Sequence, residues 1–303
     1  MRSSKIFTTY QDIRDAAFAK KGKKIVVVLP YTTEAVESID KAYKKGLASG
    51  VFVGDAEIIK EKCRQAGVKI ENHQLIDIPD EAEARVESVR LIRAKEADIL
   101  MKGSTSTGPF MKSILDRENG IREGGLISHV MVTKAKRYHK LLLISDAGIC
   151  IAPDLKQKKM IIENAVAFAK KLGIQTPKVA IVCALEKVNP DMPATIDAAE
   201  LARMNERDEL TDCIVEGPYA LDNALSKECA ELKGIKGKVI GDADILIVPD
   251  IEAGNIFAKS IFLLADAEYG GILVGTTAPV ALLSRADDEV SKENTIALAV
   301  AVS

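Results

Sequence analysis

Three segments carry residues able to do chemistry, and each follows an apolar run. The first is Lys102-Gly-Ser-Thr-Ser-Thr-Gly108, which comes after Ile99–Met101 and runs into a helix at Pro109. Backbone amides freed by glycine, a row of hydroxyl donors and a helix start form a cradle for an anion, with Lys102 and Lys112 supplying charge. No Gly-Lys-Ser/Thr closes the loop, so it is not a nucleotide-binding P-loop. The second is Pro249-Asp-Ile-Glu-Ala-Gly-Asn255, where Asp250 or Glu252 can cap a helix. Gly254 weakens the first helical turn and allows close approach of a ligand or another backbone. The third, Gly275–Glu289, contains Ser284-Arg285 ahead of Asp287, Asp288 and Glu289. A guanidinium fork binds phosphate bidentately, and a neighbouring hydroxyl can hydrogen-bond a thiol, a thiolate or an oxyanion. Taken alone, Arg285 reads by default as the partner of Asp287 or Asp288 in an ordinary surface salt bridge.

These segments need a scaffold, and the rest of the chain describes one. Short continuous apolar runs alternate with amphipathic stretches from end to end, which predicts an α/β fold of parallel strands covered on both faces. Strands are expected at Ile25–Leu29, Val51–Val53, Ile99–Met101, Leu141–Ile144, Val179–Cys183, Cys213–Val215, Ile245–Val248 and Ile272–Val274. Helices are expected at Glu34–Lys45, Ala56–Ala66, Glu81–Ala94, Leu155–Leu172, Thr195–Arg203 and Ala253–Leu264. Asp154 and Gln157 form a capping box at the start of the longest helix, and Gly173 ends it. No Pro/Ser/Gly-rich linker separates two halves; the basic interruption Thr133–His139 is the expected crossing point. Ligands of open parallel sheets bind beyond the carboxyl ends of strands, where the three segments fall.

Composition narrows the function. At about 150 residues per domain, 303 residues make one large or two ordinary domains. With 42 basic against 44 acidic residues, no block of like charges marks nucleic acid or an anionic membrane as a partner. No apolar run approaches the roughly 18 residues of a membrane span, and the opening residues break into charges too early for a secretory signal. Cys63, Cys150, Cys183, Cys213 and Cys229 show no CxxC spacing, and His73, His129 and His139 are isolated, so neither a disulfide framework nor a metal site is expected. A cytoplasmic protein is the expectation.

In combination and in this order, ADILMKGSTST at 97–107, GLISHV at 125–130, LLLISDAGI at 141–149, CIVEGPYALDNALS at 213–226, ADILIVPDIEAGNIFAKS at 243–260 and GGILVGTTAPVALLSRAD at 270–287 resemble the phosphate acetyltransferase and butyryltransferase family, the butyryltransferase branch most closely. The resemblance covers nearly the whole chain. It implies transfer of an acyl group between coenzyme A and inorganic phosphate, with coenzyme A as substrate and neither metal nor bound cofactor. It places phosphate on Arg285, the coenzyme sulfur at Ser284, the phosphate and acyl pocket at Lys102, Ser104, Thr105, Ser106 and Thr107, and a basic residue at Lys112, where the family commonly has Arg. Coenzyme contacts are implied at Gly254, Asn255, Thr276, Thr277 and Ser284. The acetyltransferase branch has an aspartate base where this chain has Ser291, which leaves Asp287, Asp288 or Glu289 to supply a displaced carboxylate.

The implied fold is two three-layer α/β domains with mainly parallel sheets and an interdomain cleft, of the isocitrate/isopropylmalate dehydrogenase kind: 1–133 with 276–303, and 134–275. Homodimers are usual in the family. No Ser/His/Asp or Cys/His arrangement is recognisable, so direct transfer in a ternary complex is expected over an acyl-enzyme, with Cys150 the only thiol worth testing. His129 reads as a core histidine. Acetyl or branched acyl specificity, a nicotinamide-dependent dehydrogenase (disfavoured by the lack of GxGxxG after any strand) and a non-catalytic acyl-coenzyme A or acyl-phosphate sensor are the alternatives.

Overall fold

The computed structural model describes residues 5–283 and 287–303. The apolar runs become strands: β1 Lys23–Val28, β2 Ala48–Gly54, β3 Gln74–Asp77, β4 Ile99–Lys102, β5 Ser128–Lys134, β6 Leu142–Ser145, β7 Lys178–Val182, β8 Ile214–Tyr219, β9 Ile245–Ile247, β10 Glu268–Val274 and β11 Val280–Ala281. The helices are α1 Tyr10–Ala19, α2 Thr33–Lys44, α3 Ala56–Ala66, α4 Glu81–Arg93, α5 Thr107–Leu115, α6 Leu155–Lys171, α7 Pro193–Glu206, α8 Leu221–Leu225, α9 Lys227–Leu232, α10 Ile251–Leu264 and α11 Glu289–Val302. The Asp154–Gln157 capping box forms reciprocally at the start of α6, and Gly173 follows the helix with a φ of 89°.

Contacts divide the chain into two units. One is Gln11–Gly125 with Gly270–Ser303; the other is Leu126–Tyr269 with Met1–Tyr10, of which residues 5–10 are described. The first crossing lies before β5 and not after it, because β5 pairs antiparallel with β6 through Met131–Ile144, Val132–Leu143 and Thr133–Leu142.

In the first unit the strand order is β3-β2-β1-β4-β11-β10. All pairs are parallel except β10 with β11. Val26, Val27, Ile99 and Leu100 are fully buried, as strands sandwiched between helical layers must be. From β1 the chain passes through α2 to β2 on one side. From β4 it passes into α5 and then runs beside the β10–β11 connection, where Arg122 bridges Thr276. The connections leave β1 and β4 in opposite directions, so their carboxyl ends form a topological switch point, the place where such sheets bind ligands. The last helix, α11, is buried almost all round, with Asn294 held by the Arg14 guanidinium at 2.8 Å.

The second unit has the order β5-β6-β9-β7-β8, parallel apart from β5 with β6. Here β7 leads through α7 to β8, whereas β9 leads into α10, which packs toward β6. The carboxyl ends of β7 and β9 therefore make a second switch point.

Candidate active site

The hydroxyl-rich loop lies at the switch point of the first unit. The register Val28–Lys102 sets the end of β4 beside the end of β1. The chain then holds on to its neighbour: Gly103 N–H donates to the Val28 carbonyl at 3.0 Å and Ser104 N–H to the Leu29 carbonyl at 2.8 Å. Gly103 is compulsory there, since a Cβ would come within 2.4 Å of the Val28 oxygen and 2.5 Å of the Leu29 oxygen. Thr105 is buried, and the Arg85 guanidinium of α4 donates to its hydroxyl at 3.4 Å. The loop is thus fixed by backbone and cation together, a preorganised platform.

A cavity of about 530 Å³ opens over this platform. Its polar lining residues are Lys102, Ser104, Thr32, Glu34 and Lys292, and its larger or apolar ones Tyr31, Ala35, Met101 and Leu283. Ser104 Oγ is buried and has no hydrogen-bond partner among the described residues, which costs about 1–3 kcal/mol unless a ligand supplies the partner. Tyr31 is seated by Asp55, whose N–H donates to the phenol oxygen at 2.8 Å; burial, first of all, raises its pKa. The Glu34 carboxyl is held below its ordinary value by hydrogen bonding to its own backbone, by the Thr32 and Thr33 hydroxyls and by the charge of Lys292. Two cations against one ionised acid leave a net positive pocket, suited to an anion joined to a short apolar group.

The other expected residues fall around this cavity in different ways. Ser106 and Thr107 begin α5 and are exposed, and Lys112 is exposed on the same helix; none of the three lines the cavity. Leu283 does, and the chain reaches Ser284-Arg285 at the next step, but those two residues lie outside the described ones. Asp288 caps α11, accepting the Ser291 N–H at 2.8 Å, and Glu289 pairs with Lys41 at 2.9 Å. Asp287 precedes the cap and is half-buried. Thr276 and Thr277 are placed elsewhere: β11 runs parallel to β4, so residues before Val280 lie at the amino end of β4, opposite to Lys102. Thr276 bonds the Ala278 carbonyl at 2.8 Å, and Thr277 lines a separate cavity with Gly120 and Ser303.

In the second unit, Gly254 and Asn255 begin α10, and both serve the loop that follows β6. A Cβ on Gly254 would meet the Asp146 oxygen at 2.8 Å and Ala147 Cα at 3.0 Å, while the Asn255 amide donates to the Ala147 carbonyl at 3.2 Å. The close approach expected at Gly254 is that of another backbone. Asp146 accepts from Gly148 and Ile149 N–H at 2.7 and 2.8 Å and from His129 N–H at 2.8 Å, which fixes the loop. Cys150, next in line, is pushed up to about 12 by burial and by the Asp146 carboxylate. It is no thiolate at neutral pH and a poor nucleophile. Among the described residues no group of three or more His, Cys, Asp or Glu side chains could hold a metal ion.

Sequence reasoning missed Tyr31, Thr32, Glu34 and Lys292. The first three follow β1, so the carboxyl-end rule applied to every strand would have pointed to them. Lys292 left no signal, because a lysine in the first turn of a helix is ordinarily a solvated charge.

The sequence profile described as "Phosphate acetyl/butaryl transferase" matches residues 81–300. Phosphate butyryltransferase of Clostridium acetobutylicum is 40% identical over 285 residues, covering 94% of this chain and 95% of its own. Phosphate acetyltransferase of Thermotoga maritima is 42% identical over 278 residues, covering 92% and 94%. The crystal structure of a branched-chain phosphotransacylase from Enterococcus faecalis V583 superposes with a TM-score of 0.82 at 31% identity, covering 92% of this chain and 98% of that one.

Proposed function

Because the chain belongs to the phosphate acetyl/butyryl transferase family, we propose that it exchanges a short acyl group, butyryl foremost, between coenzyme A and inorganic phosphate. The observation that carries this reading is the cavity at the β1–β4 switch point, lined by a fixed glycine-hydroxyl loop, Lys102 and Lys292 together with apolar side chains. Phosphate would sit against the two ammonium groups and Ser104. The acyl tail would run along Tyr31, Ala35 and Leu283; butyryl is our choice from the likeness to phosphate butyryltransferases.

Transfer from the acyl phosphate begins as the coenzyme sulfur, giving up its proton, bonds to the acyl carbon. The carbonyl electrons move onto oxygen; the tetrahedral oxyanion then collapses, the carbon–oxygen bond to phosphate breaks, and the leaving oxygen takes the proton that the thiol gave to a carboxylate, so that phosphate departs as the hydrogen phosphate dianion. Fixed donors and cations lower the barrier because they already point where charge develops. We assign Arg285 to phosphate and Ser284 to the sulfur by family likeness. Asp287 is our choice for the proton acceptor, as the first carboxylate in sequence after Ser284-Arg285. Cys150 is too weakly acidic to favour an acyl-enzyme, which supports direct transfer.

Coenzyme A is a substrate in this scheme, and no resident cofactor takes part. We further propose a cytoplasmic homodimer: Ile256 and Leu263, one and the same face of α10 apart by two turns, are 67% and 70% exposed, and Leu264 beside them is 84% exposed. Sedimentation equilibrium tests the dimer; a monomer at micromolar concentration contradicts it. For the reaction, thiol release from butyryl-coenzyme A on adding phosphate is the test. Nicotinamide reduction, or ligand binding without turnover, would favour a dehydrogenase or a sensor instead.

A further inference from the structure

A carboxylate is an unexpected neighbour for a bound phosphate, yet Glu34 lines the β1–β4 cavity together with Lys102, Lys292 and Ser104. Glu34 and Lys292 also share a smaller cavity, of about 120 Å³, where α2 meets α11. Lys41 and Lys45 of that cavity are paired, with Glu289 at 2.9 Å and Glu293 at 2.6 Å. Lys292 instead acts on Glu34: hydrogen bonding from the Glu34 backbone and from the Thr32 and Thr33 hydroxyls, with the Lys292 charge added, keeps the carboxyl ionised. An anion held by Lys292 therefore meets Glu34 too. Glu34 is solvent-exposed, so water hydrogen-bonds to its carboxylate. An anion that takes the place of that water must supply a donor, or a charged acceptor is left unpaired beside a like charge.

We propose that Glu34 makes this site selective for oxyanions that carry a proton: its carboxylate accepts a hydrogen bond from the O–H of hydrogen phosphate and turns away sulfate, which has no O–H to offer. The proposal rests on the acyl-transfer reading above, which puts phosphate in this cavity. Near neutral pH each ionic form of phosphate keeps at least one O–H, whereas sulfate, the ion of a much stronger acid, keeps none. The two ions are both tetrahedral and of nearly the same size, so ammonium groups, which only donate, bind both alike. A carboxylate separates them, because it gains a charge-assisted hydrogen bond from one and meets only like charge in the other. An acyl phosphate falls with sulfate. Once an oxygen is acylated, the phosphoryl group is a stronger acid and loses its last proton, so Glu34 favours phosphate over butyryl phosphate as well.

The test measures the KM for phosphate in thiol release from butyryl-coenzyme A, and the inhibition constant of sulfate against phosphate, in the wild type, Glu34→Gln and Lys292→Met. Glu34→Gln removes the charge and adds an amide donor, so sulfate should bind more tightly and phosphate more weakly. The ratio of the sulfate constant to the phosphate KM should fall about tenfold or more, the loss expected for one hydrogen bond to a charged acceptor. Arsenate, which also keeps an O–H, should weaken with phosphate, and the KM for butyryl phosphate in the opposite direction should fall. Lys292→Met takes away a donor common to both anions; it should weaken both and leave the ratio within about threefold of wild type. Phosphate and sulfate moving by the same factor in Glu34→Gln, no movement of either, or arsenate moving with sulfate would overturn the assignment. Titration calorimetry with inorganic phosphate and with sulfate reads the same ratio without turnover. Absence of thiol release, which would refute the transfer reading, is thereby told apart from failure of the Glu34 assignment.

Discussion

Gly103→Ala isolates the platform from the rest of the protein. The new methyl would lie 2.4 Å from the Val28 oxygen, 2.5 Å from the Leu29 oxygen and 2.9 Å from the Leu29 carbonyl carbon. All three are backbone atoms, so no side chain can swing aside. Restoring even a tight contact needs a movement of about 0.6–1 Å, which strains or breaks the Gly103–Val28 and Ser104–Leu29 hydrogen bonds. Overpacking of this kind costs about 1–3 kcal/mol, a fall in Tm of roughly 2–12 °C for units of this size. A displacement near 1 Å at positioning groups lowers turnover about 100-fold. Gly108→Ala is the matched control: its Cβ would meet nothing within 4 Å and it lies in the first turn of α5. Phosphate-dependent thiol release and thermal unfolding would be measured on both. The control should stay near wild-type rate and stability. If Gly103→Ala keeps its Tm and turns over within threefold of wild type, the loop is not the rigid platform described.

The Asp242 carboxylate makes contacts of 2.5 Å to Lys178, 2.9 Å to Lys140 and 2.9 Å to His139. Burial by itself would raise its pKa, but the hydrogen bonds from Lys178, Lys140 and His139 and the charge of Lys140 hold it far below the carboxylate range. Its folded value therefore lies below the unfolded value near 3.9, so its stabilisation is complete above about pH 4 and is lost as the pH falls through the folded value. Asp242→Asn should cost about 1–3 kcal/mol in urea unfolding at pH 7, with the gap to wild type narrowing below pH 4; a gap that widens in acid contradicts the assignment. Cys150→Ser should retain most activity, and mass spectrometry should find a covalent acyl adduct neither on it nor on the wild type during turnover. A fall in turnover of 100-fold or more would reinstate the thiol.

Buried parallel strands were the most legible part of the fold, because Ile25–Val28 and Ile99–Met101 are apolar without interruption and cannot be placed on a surface. The Asp154–Gln157 box was legible because its chemistry is local. β3 was not: its residues Gln74–Asp77 are half-exposed at an edge, and pairing with β2 makes the strand. α11 also escaped notice, since a helix buried all round shows no amphipathic period. At the site, Lys102 and Ser104 were readable from loop chemistry. Gly254 was readable as a close approach, yet only the fold could identify what approaches. Thr276 and Thr277 follow a strand, but β10 is antiparallel to β11, and the turn between them lies at the end of the sheet away from the loop.

The most direct test of the account is the initial rate of phosphate-dependent thiol release from butyryl-coenzyme A by the wild type and by Lys102→Met and Lys292→Met. The cavity assignment predicts equimolar thiol and butyryl phosphate from the wild type. Each substitution should raise the KM for phosphate or lower kcat by at least tenfold, the loss of one charge-assisted contact, with unfolding transitions unchanged. Wild-type phosphate kinetics in both variants would mean that the anion is held somewhere other than the β1–β4 switch point.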